Sequence, residues 1–169
     1  ILVENHGSKA LYASIVWTGT PVNFNTEQEE RGISMSVIYR DKSNTVINPE
    51  NLLQGMDFTA EVEIRNISPF RIENIALSQI FPSGWEILNT RLFEGSAIES
   101  NSSYTYQDIR DDRVYTYFDL ETNKNKIYVL NLTAAYAGEY ILPGIVCEGM
   151  YDHSIFVKTP GKRVKVSRD

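Results

Sequence analysis

Alternation of apolar and polar side chains at every second residue governs this chain, and a period of two marks strands with one buried face. Between Phe58 and Arg65, Phe58, Ala60, Val62 and Ile64 point one way and Thr59, Glu61, Glu63 and Arg65 the other, which predicts a half-solvated antiparallel strand. Ile33, Met35, Val37 and Tyr39 alternate likewise with Ser34, Ser36, Ile38 and Arg40, and Leu11, Ala13, Ile15 and Trp17 with Tyr12, Ser14, Val16 and Thr18. Further strands are expected at 74–81, 85–92, 113–119, 126–135, 139–147, 154–158 and 162–167. Turn chemistry separates them: Ser68-Pro69, Pro82-Ser83-Gly84, Asn123-Lys124-Asn125, Ala137-Gly138 and Thr159-Pro160-Gly161. A single short helix is expected from Asn48 to Gln54, with Asn48 as cap, Pro49 in the first turn and Gly55 as stop. Many short strands and almost no helix predict an all-β, antiparallel sandwich.

The 169 residues exceed the ~100 of a seven-stranded sandwich. Two polar stretches, 21–31 and 95–108, account for part of the excess, and 21–31 reads as a linker after an isolated first strand. A single Cys excludes a disulfide framework. The net charge of −6 argues against nucleic-acid binding by phosphate neutralisation, so no nucleic-acid partner is expected. No apolar run reaches the ~18 residues of a membrane span, and no signal peptide is evident. The chain starts at Ile1 rather than Met, and is read as a piece of a longer protein whose address or anchor lies elsewhere.

Catalytic chemistry finds little material, and neither an enzyme nor a metal or cofactor site is expected. His-Glu-x-x-His, paired Cys-x-x-Cys and glycine-rich phosphate loops are all missing from the sequence. Cys147 and His153 lie six residues apart, yet Cys147 ends an apolar run and reads as a buried strand residue, with His153 beside a turn. The cluster Asp108-Ile-Arg-Asp-Asp-Arg113 interleaves two cations with three carboxylates and lacks the glycine of a calcium loop, so internal Arg–Asp pairing is expected. Tyr104, Tyr106, Tyr115, Tyr117, Tyr128, Tyr136 and Tyr140 fit half-buried strands as readily as a ligand platform. Sequons at Asn66, Asn101 and Asn131 are too short a pattern to carry a conclusion.

Four longer strings are more specific: Ser78 to Arg91 (SQIFPSGWEILNTR), Tyr106 to Leu120 (YQDIRDDRVYTYFDL), Ala135 to Gly144 (AYAGEYILPG) and Cys147 to Gly161 (CEGMYDHSIFVKTPG). In this order they resemble the C-terminal, tenth macroglobulin-like domain of bacterial α2-macroglobulins. The resemblance implies an immunoglobulin- or fibronectin-III-like macroglobulin sandwich with an extra N-terminal strand. It further implies that residues 1–20 are the returning last strand of a preceding CUB-like domain, 21–31 the linker and 32–169 the C-terminal domain. Strand 11–18, cut from its sheet, is expected to pair with something.

Function follows from the resemblance as an expectation. Family members trap proteases, and those with a Cys-Gln thioester keep it dry until bait cleavage releases it. The Gly-Met-Tyr-Asp string implies that Met150 and Tyr151 shield the bond from an exposed turn, with Gly149 and Asp152 supporting the loop. Implied partners are the thioester domain and other macroglobulin domains of the same protein, and target proteases of the whole. The implied setting is a periplasmic or cell-surface lipoprotein active in host colonisation, touching membrane only through an anchor outside these residues. A glycan-binding or adhesion module is the alternative, and requires several exposed aromatics lining one groove.

Overall fold

The computed structural model describes residues 3–16, 27–88 and 102–168. Among them there is no helix, and thirteen strands follow in order. They are β1 Glu29–Arg31, β2 Ile33–Asp41, β3 Asn51–Leu53, β4 Asp57–Asn66, β5 Ile72–Ile80, β6 Trp85–Leu88 and β7 Tyr106–Ile109. Then come β8 Arg113–Leu120, β9 Asn125–Ala134, β10 Gly138–Leu142, β11 Val146–Gly149, β12 Phe156–Lys158 and β13 Lys162–Ser167. One sheet has the order β1-β12-β11-β5-β8-β7 and a second β2-β4-β9-β6, while a short third sheet, β10-β13-β3, extends one end. All pairings are antiparallel except that of β3 with β13.

β4 shows how the alternation becomes a sandwich. Phe58, Ala60, Val62 and Ile64 are buried, while Thr59, Glu61 and Glu63 are partly solvated and Arg65 is exposed. The inner faces form two clusters along the strands. Ile33, Ile64, Leu77, Phe118, Tyr128 and Cys147 lie in the first, and Tyr39, Phe58, Trp85, Leu132 and Val166 in the second. Burial of such surface, at about 25 cal/mol per Å², holds the layers together.

Four expectations need correction. The helix at 48–54 is absent: Asn48 Oδ1 accepts the Glu50 N–H (3.1 Å) in a turn, and residues 51–53 pair with β13, burying Leu52 in the second cluster. Tertiary pairing overrides a weak local helix signal. The single strand at 139–147 divides into β10 and β11 at Pro143-Gly144, where a Cβ on Gly144 would stand 2.0 Å from the Thr159 carbonyl oxygen. Only glycine allows that approach, which lets the chain cross between sheets. The linker 21–31 ends inside the fold, because Glu29–Arg31 pairs with β12. Segment 11–18 forms no strand over residues 11–16, where Leu11, Tyr12, Ile15 and Val16 are exposed, since a lone strand without an edge to join has no ladder. Residues 17–26 and 89–101, which carry the rest of that segment, the end of the strand at 85–92, the first half of the polar stretch 95–108 and Asn101 of its sequon, lie outside the described residues.

Candidate functional site

The β11–β12 connection is built at its base by backbone and at its tip by side chains. The Gly149 N–H donates to the Ile155 carbonyl (3.0 Å), the Ile155 N–H to the Asp152 carbonyl (3.1 Å), and the Met150 N–H to the Asn74 carbonyl of β5 (2.9 Å). Asp152 Oδ1 accepts both the Ser154 N–H (2.9 Å) and hydroxyl (2.6 Å). Those two bonds, the hydroxyl's first, hold the Asp152 carboxyl below its usual range. Gly149 is buried, and a Cβ there would sit 2.9 Å from the Asp152 carbonyl oxygen, so the turn closes only over glycine. Gly149 and Asp152 thus lie at the bonds and the close approach that shape the turn.

At the tip, Met150 is 42% exposed and Tyr151 81% exposed, so both face solvent from one turn. Ile155, three residues after Asp152, anchors the turn in the first core cluster. A shallow hollow of about 270 Å³ opens beside Tyr151, lined also by Phe70, Arg71, Glu73 and Asn74. Arg71 there meets Asp119 at 2.8 Å and Glu73 and Glu121 at 3.4 Å. Asp119 Oδ1 accepts the Asn74 N–H (2.9 Å) at a positive-φ residue in the β5 irregularity. That bond first, then Arg71, holds the Asp119 carboxyl low. The alternation does not single out the neighbouring Phe70; its signal is a large apolar residue directly after Ser68-Pro69, in a turn rather than a strand.

The other candidate chemistries are placed as well. Cys147 is fully buried, its thiol pushed up by burial, and His153 is exposed on the turn, which does not make a thiolate–imidazole pair. Arg110 pairs with Asp108 (3.0 Å) and Arg113 with its neighbour Asp112 (2.6 Å), both local pairs at the β7–β8 turn, as the interleaving implied, and β7 takes in the last residues of the polar stretch 95–108. No group of three potential metal ligands occurs among the described residues. Tyr106 and Tyr117 stack across β7–β8 (5.9 Å), but the larger hollows at the β2 edge and beside β10 are each lined by one tyrosine, Tyr39 and Tyr140. Asn66 is fully buried and closed as a glycan acceptor.

Against known proteins, residues 32–153 match the family model described as "Bacterial Alpha-2-macroglobulin MG10 domain". The chain is 27% identical over 139 residues to the alpha-2-macroglobulin of Rickettsia conorii, covering 79% of this chain and 7% of that protein. It is 24% identical over 180 residues to circularly permutated Ras protein 2 of Dictyostelium discoideum, covering 98% of this chain and 4% of that protein. Salmonella alpha-2-macroglobulin reacted with methylamine superposes with a TM-score of 0.76 at 17% identity, over 88% of this chain and 10% of that one. The chain thus spans a small fraction of the relatives it matches.

Proposed function

From the premise that this chain belongs to the bacterial alpha-2-macroglobulin family, as an MG10 domain, we propose that its Met150–Tyr151 turn covers a thioester in a neighbouring domain of the same protein. The observation that carries this reading is the exposure of two large side chains on a turn whose base is held by three backbone hydrogen bonds and by two from Ser154 to Asp152. Met adapts to an uneven surface, and Tyr brings an apolar face with a hydroxyl for one polar partner. Docked over a thioester, they exclude the water that would hydrolyse it. The Salmonella relative was reacted with methylamine, and the reading carries amine reactivity to the whole protein of which this domain is a part.

In this reading the whole protein is a protease-trapping inhibitor rather than an enzyme, held at the periplasmic or cell surface as a lipoprotein. Residues 1–20 belong to the preceding domain, where the exposed Leu11, Tyr12, Ile15 and Val16 find the sheet edge they lack here. Replacing both Met150 and Tyr151 by Ala in the full-length protein is expected to speed thiol release by methylamine at least tenfold. Unchanged kinetics would overturn the shielding role and leave the domain a scaffold.

A further inference from the structure

Phe70 stands 53% exposed at the sandwich end that carries Tyr151, on a loop with little freedom to withdraw it. Buried Asn66 sets that loop: its Nδ2 donates to the carbonyls of Phe70 (2.8 Å) and Leu120 (3.1 Å). Its Oδ1 accepts the Ser68 N–H (2.8 Å). The Ser68 hydroxyl lies 2.7 Å from that oxygen and 2.8 Å from the Phe70 carbonyl, its single proton serving one of them. The Ile67 N–H donates to the Gly32 carbonyl (3.0 Å). A buried carboxamide engaged on both sides is costly to disturb, so the backbone that carries Phe70 is held in place.

Phe70 and Tyr151 line the same hollow. Around it stand four carboxylates, Glu73, Asp119, Glu121 and Asp152, against three cations, Arg71, the exposed Lys124 of the adjacent turn and Lys126 near Asp119. Two exposed apolar side chains on anchored turns, in a surround with more acidic than basic groups, fit an apolar partner patch bordered by cations, because complementary charge sets orientation and rejects acidic surfaces.

We infer that the Phe70 loop is a second anchor of the contact surface centred on Tyr151, and that the neighbouring domain meets the pair with an apolar patch rimmed by Lys or Arg. This rests on the reading of the Met150–Tyr151 turn as an interdomain contact. The photoreactive residue p-benzoylphenylalanine, placed in the full-length protein at Phe70 and separately at Tyr151, tests it. On irradiation both probes are expected to join the same neighbouring domain, in peptides carrying Lys or Arg. Combining Glu73→Lys and Glu121→Lys, with Asp119 kept to hold Arg71, is expected to lower the Phe70 cross-link yield several-fold. A Tyr151 cross-link with none at Phe70, or with Phe70 joined to a different domain, overturns the second anchor and leaves the shielding turn standing. Silence from both probes overturns both, and a yield indifferent to charge reversal overturns the cationic rim.

Discussion

At one end of the sandwich Trp85 meets Phe58 edge-on, with ring centroids 5.0 Å apart, and Tyr39 and Phe81 close around it at 6.2 and 6.3 Å. At the other tip Phe70 and Tyr151 stand in water beside a hollow. The first group is packed into the core, where burial pushes the Tyr39 hydroxyl up to about 12. The side chains of the second group are largely outside the core of their own domain. The difference separates what an aromatic ring does for folding from what it does for contact, and substitutions at the two ends should divide in the same way.

The largest effect is expected at the inner group. Trp85→Ala should lower stability by about 3–5 kcal/mol, since it removes the centre of an aromatic cluster and leaves a cavity, as read by denaturant unfolding. Next, Gly149→Ala forces a Cβ to within 2.9 Å of the Asp152 carbonyl and should cost about 1–3 kcal/mol, while changing hydrogen exchange in the 150–155 turn more than elsewhere. Gln79→Met should stabilise by about 1 kcal/mol, because both ends of the fully buried Gln79 carboxamide have no hydrogen-bond partner among the described residues; a loss of stability there would reveal a partner outside them.

Acid should act next, and mildly. The Asp57 carboxyl is held low first by Lys42, then by Thr133, and the Asp119 carboxyl by the Asn74 N–H and Arg71. Folded-state values lowered in this way contribute stability that is complete above the ordinary carboxylate value of 3.8 and is lost as pH falls through the lowered ones. Stability measured from pH 6 down to about pH 2 should decline in that window, and Asp119→Asn should flatten the decline. The smallest effect is expected at the tip: Tyr151→Ala should move stability by no more than about 0.5 kcal/mol. A larger loss would mean that Tyr151 serves its own fold and would erase the contrast between the two ends.

What could be read in the sequence follows the same division. β4 and β2 were legible because each is long enough to repeat its alternation against water. β1 and β3 have three residues each, and their conformation is set by partners far along the chain, as Leu52 is set by Val166, while the four residues of β7 are too few to repeat an alternation. The Asn48-Pro49 signal was real as local chemistry, since Asn48 does accept a bond two residues on, but it began a turn and not a helix. The exposed Met150–Tyr151 turn was legible from its place between strands and its family string. Phe70 was not, because its pose depends on a buried Asn66 whose partners, Phe70 and Leu120, no periodicity connects.

The parallel pairing of β3 with β13 also bears on how the chain folds as it is made. Leu52 and Val166 are separated by about 110 residues, so at ribosomal rates of about 5–20 residues per second β3 waits roughly 6–20 s for its partner to be synthesised. During that time an apolar edge is open to other nascent chains. Having only three residues, β3 offers too short a ladder for such a mispairing to persist.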